Sequence, residues 1–402
     1  MAQNYQPFQA SMLALGQAPS VIRETFEYGN RRAAEIGREN VFDFSLGNPS
    51  VPAPDSVHDT MRRLMDETDS VLLHGYTSAV GAEPVRSAIA ADINKRFSAG
   101  ISAGNIYMTC GAAASLTVTL HAVLCPGDNC IAFAPFFPEY RVFVEAANAD
   151  LTVVPADLDS FQLNLDAFEK LVNAQTKAVI INTPNNPTGV VFTEANLRKL
   201  CDILRAKEAE YGHPIYLIAD EPYRELVYDA DTVVPYLPNL YDDTFVCYSF
   251  SKSLSLPGER IGYIVVSPKM KDSKLVYAAV CGSGRALGFV CAPSMAQRVV
   301  ADNLGRTGDL SVYRRNRDLL YKALTEYGYR CIYPDGAFYL WVQALEPDAN
   351  AFCQKARDYE LLIVPSDSFG CEGFVRIAYC VTTEMIERSL PAFKKLAEAY
   401  GK

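Results

Sequence analysis

Positive charge is scarce in this 402-residue chain: 37 Lys and Arg stand against 47 Asp and Glu, for a formal net charge of −10. An acidic surface repels polyanions, so nucleic acid and anionic membranes are poor partners. A small anionic substrate is still allowed, because one local Arg can outweigh the global field. Paired cysteine motifs are lacking too. The cysteines (Cys110, Cys125, Cys130, Cys201, Cys247, Cys281, Cys291, Cys331, Cys353, Cys371 and Cys380) are odd in number and contain no CxxC spacing. That argues against a disulfide framework and against a zinc site. Most have apolar neighbours, as buried thiols of a reducing cytosol do. No apolar run is long enough to span a bilayer. The opening MAQNYQPFQASMLAL has neither the basic stretch nor the long apolar stretch of a signal peptide. A cytoplasmic location is therefore expected. Repeats, low-complexity tracts and charge blocks are absent as well.

What is present is the composition of an ordinary globular protein, 49% apolar and 21% charged. Long disorder is excluded on that balance. The length exceeds what one hydrophobic core usually supports, so two lobes are expected. Asn129–Ala134, Lys177–Asn182, Ile215–Ala219, Phe245–Ser249 and Ile261–Val266 are short, apolar and rich in β-branched or aromatic residues, as fully buried strands are. Helical stretches lie between several of them. In Glu194–Tyr211, Leu197, Leu200, Cys201, Leu204 and Ala209 recur at roughly helical spacing. Strands buried on both faces and alternating with helices imply an α/β fold. The expected large domain, 46–295, has a mostly parallel sheet sandwiched by helices. Beyond it the pattern becomes a smaller α+β domain: a long helix Ser311–Tyr327, strands Ala337–Val342 and Phe374–Tyr379, and a terminal helix Thr383–Ala399. Residues 1–45, with a helix Ser20–Ile36, are grouped with 296–402 as an N-terminal arm, though the sequence does not fix which lobe they pack on.

In open α/β sheets ligands bind beyond the carboxyl ends of the strands. The polar residues that follow each apolar run are therefore the candidates. In IYLIADEPYREL these are Asp220 and Tyr223. In FVCYSFSKSLSLPGERIGY they are Lys252, with Ser249 and Ser251 before it and Arg260 after. NTPNNPTG, Asn182–Gly189, is another strand end running into a turn. In TCGAAASL a strand passes through Gly111 into a small-residue helix start. Singly, each has a plain explanation. A lone Lys is usually solvated, a strand-end Asp caps a helix, Asn, Pro and Gly form turns, and alanines after a glycine open a helix. As a set, four strand ends offer four different polar groups, and one cofactor would need all of them.

The ordered set TCGAAASL, APFFPEY, NTPNNPTG, ADEPY, SFSKSLSLPGERIGY and FVRIAY resembles the fold-type-I pyridoxal-phosphate (PLP) enzymes of the aspartate aminotransferase family. The resemblance runs from SLGNP at Ser45 to Tyr379. It implies a transaminase in which Lys252 carries the cofactor as a Schiff base and serves as general acid–base. It further implies that Asp220 keeps the pyridine nitrogen protonated and that Tyr223 and Asn186 reach the phenolic oxygen. The phosphate would take the backbone N–H groups of Ala112 and Ala113 after Gly111, with Ser249 and Arg260. Phe137, or its neighbour Phe136, would cover the ring. Arg376 would grip the substrate α-carboxylate, helped by Asn186, and Gly47 would allow close backbone approach. Tyr76 in HGYTSAVG resembles the tyrosine that reaches a neighbouring subunit's phosphate, which implies a homodimer with shared active sites.

The resemblance implies transfer of an α-amino group between an amino acid and a 2-oxo acid such as 2-oxoglutarate. Arg285 lies where aspartate-specific members place an Arg from the partner subunit, so an aspartate-like substrate is expected. The aromatic residues of APFF, with Tyr5, Phe8 and Phe26, leave an aromatic or aliphatic substrate open. A PLP-dependent C–S β-lyase shares the same constellation. A catalytically silent PLP-fold regulator is disfavoured, because Lys252 is present and all 402 residues are taken up by the two lobes. Gly282-Ser283-Gly284-Arg285-Ala286-Leu287-Gly288 looks like a dinucleotide fingerprint, but its third glycine is one place late. No metal ligand set is expected.

Overall fold

A seven-stranded sheet forms the centre of the chain. The structure, a computed structural model, describes residues 8–18 and 20–402. The strands are β1 (Ile106–Thr109), β2 (Asn129–Phe133), β3 (Asp150–Val154), β4 (Thr176–Asn182), β5 (Tyr216–Asp220), β6 (Thr244–Ser249) and β7 (Gly262–Val266). Their spatial order is β1-β7-β6-β5-β4-β2-β3. From β6 to β3 every neighbouring pair is parallel; β7 alone runs against its neighbours. The apolar runs read from the sequence fall on β2, β4, β5, β6 and β7 within a residue or two. β3 has no such run. It lies at the sheet edge, and Asp150 through Val153 are exposed or only half-buried.

Successive residues of a strand face opposite ways, and both faces of this sheet are covered. On β4, Val179 and Ile181 pack with Leu197, Leu200 and Leu204 of helix Glu194–Tyr211. Ala178 and Ile180 pack on the other side with Leu116, Val118 and Leu120 of helix Ala112–Val123. Two-sided burial is why these strands read as unbroken apolar runs.

A second, four-stranded antiparallel sheet holds β8 (Cys331–Ile332), β9 (Tyr339–Gln343), β10 (Val364–Pro365) and β11 (Phe374–Ala378), in the order β10-β11-β9-β8. Leu340, Val342, Val375 and Ile377 pack against Leu320 and Leu324 of helix Leu310–Glu326 and against Ile386, Phe393 and Leu396 of helix Thr383–Ala399. The N-terminal segment joins this part: Phe42–Asp43 pairs in parallel with Leu361–Leu362, and Phe44 lies in the same core. The expected boundary at residue 295 falls inside helix Ser294–Ala301. Ala296, Val299 and Val300 of that helix are buried in a core with Val85, Ile89 and Ile93.

The glycine pattern at 282–288 is not a strand–turn–helix. It lies in and just after helix Ser273–Leu287. Gly284 lets the helix close on Tyr107, whose hydroxyl occupies the space a β-carbon would need, and Gly288 takes the left-handed conformation that ends the helix (φ 78°). No helix among the described residues is long and apolar enough to cross a membrane.

Candidate active site

The carboxyl ends of β4, β5 and β6 open onto one cavity of about 290 Å³ between the two sheets. Asp220 is the last residue of β5 and is buried. Its Oδ2 accepts a hydrogen bond from the Tyr140 hydroxyl at 2.6 Å, while its Oδ1 has no partner among the described residues. Burial pushes this carboxyl up to about 7; the Tyr140 bond opposes the rise and the neighbouring Glu221 adds to it. An unpaired buried carboxylate oxygen is costly, so a cationic or N–H donor is what this position lacks.

Lys252 follows β6 on the short helix Phe250–Ser253, which places its amine across the same cavity. Nζ donates to the Gly47 carbonyl at 2.6 Å and lies 5.5 Å from the Phe338 ring centroid. Burial lowers its ammonium to about 8; Cys380 acts the other way, and Arg260 and Arg376 lower it further. Among the described residues no carboxylate forms a salt bridge with it.

One end of the cavity is built for an anion. Gly111 (φ 92°) turns the chain from β1 into helix Ala112–Val123, whose first amides have no intrahelical acceptor. Ala112 and Ala113 line the cavity there. A β-carbon on Gly111 would lie 2.8 Å from the Arg260 guanidinium, so the glycine admits the cation beside the helix start. Ser249 and Ser251, with hydroxyls 2.8 Å apart, complete this end, and Arg260 Nη1 lies 3.5 Å from Ser251 Oγ.

The other end presents Arg376, from β11. It is buried, donates to Ser45 O at 2.6 Å and Asn186 Oδ1 at 3.1 Å, and has no partner for Nε among the described residues. Asn186 is held by its own backbone N–H, which donates to Asn182 Oδ1 at 2.7 Å; Asn182 in turn donates to Asp220 O at 2.9 Å. Tyr223 meets Tyr339 hydroxyl to hydroxyl at 2.9 Å. Phe137 lines the cavity, whereas Phe136 packs in the core beneath it.

Gly47, Ala112, Ala113, Phe137, Asn186, Asp220, Tyr223, Ser249, Lys252, Arg260 and Arg376 are thus brought together. Gly111 abuts them through Arg260. Tyr76 and Arg285 are not among them: Tyr76 is 97% exposed, and Arg285 sits on the exposed side of helix Ser273–Leu287. Phe8 is exposed and Phe26 half-buried, both off the cavity; Tyr5 lies outside the described residues. Sequence reasoning missed Tyr140, Tyr339 and Ile22, all at or beside the cavity.

The family model for class I and II aminotransferases matches residues 39–393. The chain belongs to that family. Its members are PLP-dependent transaminases, and this aminotransferase is an enzyme of that kind. It is similar to a solved amino transferase from Eubacterium rectale, 54% identical, with a TM-score of 0.97 over 99% of this chain and 100% of that one. It is 29% identical to an aspartate aminotransferase of Thermotoga maritima, over 92% of this chain and 95% of the relative. It is 27% identical to aromatic-amino-acid aminotransferase 2 of Thermococcus litoralis, over 94% and 95%. The donor set of the aminotransferase's cavity fits a phosphorylated pyridine aldehyde: an amine, an orphaned carboxylate oxygen, and a helix start with a cation beside it.

Proposed function

We propose that this aminotransferase works as a homodimer, binds PLP in the cavity, and moves an α-amino group between an aspartate-like amino acid and a 2-oxo acid such as 2-oxoglutarate. One observation carries the reading: the partnerless Asp220 Oδ1 faces the same cavity as the Lys252 amine and the Ala112 helix start. PLP, when bound, supplies an electron sink for charge left at the substrate α-carbon. Asp220 would hold the ring N–H, with Tyr140 fixing its other oxygen. Phe137 would cover the ring, and Tyr223 with Asn186 would reach the phenolic oxygen. Ala112 and Ala113 amides, Ser249 and Arg260 would hold the phosphate. Lys252 would bind the cofactor covalently and, once freed, carry a proton to and from the α-carbon. An amine titrating near 8 suits both tasks.

Arg376 would receive the α-carboxylate, and its free Nε gives it a donor to offer. Asn186 would share that carboxylate, and Gly47 leaves room beside it. Lys252, Arg260 and Arg376 are the cavity's cations among the described residues, and each has a task. A distal carboxylate therefore needs a cation from outside, which Arg285 of a second copy would supply. Tyr76 of that copy would reach the phosphate. The exposed Met65, Val71, Leu72 and Tyr76 form the kind of apolar surface that another chain covers. The division into a large lobe and a small lobe with the N-terminal arm belongs to this reading. So does a cytoplasmic site of action, supported by cysteines that are all free thiols.

The test is the visible spectrum of the protein loaded with PLP, before and after single amino acids are added without an oxo acid. A visible band that bleaches with aspartate and returns with 2-oxoglutarate is expected. Pyruvate and ammonia formed without an acceptor would point to β-elimination and overturn the transaminase assignment.

A further inference from the structure

Tyr339 has no place in the roles above, yet three parts of the site meet on it. Its ring lies under the Arg376 guanidinium, 4.6 Å from centroid to carbon. Its hydroxyl is 2.9 Å from that of Tyr223. The same hydroxyl presses on Gly47, where a β-carbon would collide with it, and the Gly47 carbonyl holds the Lys252 amine. Tyr339 is buried on β9.

The two phenols have one proton each. Burial pushes the Tyr339 hydroxyl up to about 12 and that of Tyr223 well above its ordinary value, so both stay protonated at neutral pH. One donates and the other accepts. Tyr223 can turn its single proton toward a ligand oxygen only if Tyr339 is the donor of the pair. Tyr339 has no other hydrogen-bond acceptor among the described residues. Its ring, meanwhile, gives the buried Arg376 cation an aromatic face in place of water.

We infer that Tyr339 is a positioning residue for both halves of the site: its hydroxyl donates to Tyr223 and frees the Tyr223 proton for the cofactor, and its ring seats Arg376 for the substrate carboxylate. The inference rests on the PLP reading of the cavity. A plain core aromatic, packed edge-to-face with Tyr223 and Phe338, would affect stability alone.

The experiment compares holoenzyme with Tyr339→Phe and Tyr339→Leu variants. It reads the pH midpoint at which the visible band of bound PLP changes, and it reads KM and kcat for the amino donor. Tyr339→Phe keeps the ring and loses the donor. A weaker Tyr223 bond disfavours the anionic phenolic oxygen, so the midpoint should rise by about half a pH unit while KM stays put. Tyr339→Leu should show the same rise and, with the ring gone, a KM increased about tenfold; Tyr339→Phe rescues that KM. An unmoved midpoint in Tyr339→Phe, or equal KM in the two variants, overturns the inference. If Tyr339→Leu does not fold, the Tyr339→Phe midpoint decides alone. A wild type without a visible band sinks the cofactor reading and this inference with it; a normal wild-type band with an unmoved variant sinks this inference only.

Discussion

Replacing Asp220 by Asn should make the PLP-free protein less sensitive to rising pH. Burial pushes this carboxyl from 3.8 to about 7. Its folded pKa lies above its unfolded one, so the unfolded chain releases the proton first. Stability is therefore lost as pH climbs from about 4 through about 7, and the loss is flat above that. At about 1.4 kcal/mol per pH unit, the full loss is about 4 kcal/mol. Between pH 5 and pH 8 it is about 2–3 kcal/mol. Asn cannot ionise. Its carbonyl can keep the Tyr140 bond, and its amide then faces the cavity without a partner, at a pH-independent cost of about 1–3 kcal/mol. The assay is urea unfolding of both proteins at pH 5 and pH 8. The wild type should lose about 2–3 kcal/mol more than the variant over that interval. Adding PLP should remove the difference in the wild type, because its ring N–H would give Asp220 Oδ1 a partner. Parallel behaviour of the two PLP-free proteins would refute the argument.

Gly47→Ala should cost about 1–3 kcal/mol, because the new methyl meets the Tyr339 hydroxyl. It should also lower kcat by displacing the carbonyl that holds Lys252; an unchanged melting temperature and rate would contradict the contact. Arg285→Leu should raise KM for aspartate about tenfold or more and leave alanine unaffected, as loss of a charge-assisted bond to one carboxylate would. Equal losses for both amino acids would remove Arg285 from the substrate site.

Much of this was legible because of how a parallel sheet is buried. Strands covered on both faces appear as apolar runs, and the polar residues just after each run mark the end where ligands bind. Asp220, Lys252 and the Asn182–Gly189 turn were found that way. β3 was missed because an edge strand need not be apolar throughout. Tyr339 and Tyr140 were missed for the opposite reason. Each is an aromatic among aromatics, in GAFYLW and APFFPEY, and nothing local distinguishes a hydroxyl that serves a site from one that merely fills a core. Ile22 is an unremarked apolar residue in the N-terminal helix, and only the fold brings it to the cavity. The glycines at 282–288, discounted as a fingerprint because of their spacing, have other work. In the structure one of them yields to Tyr107 and another ends a helix, tasks that leave no motif.

Arg376 belongs to the antiparallel sheet, but its two filled bonds go elsewhere: to Ser45, in the N-terminal segment, and to Asn186, at the end of a large-sheet strand. An anion bound to this guanidinium is therefore tied at once to three stretches of chain that are far apart in sequence. Its affinity doubles as a gauge of docking. If substrate binds there, a substitution that loosens the seam between the sheets would weaken its binding even from a distance, and a tight-binding carboxylate would act as a rivet across that seam.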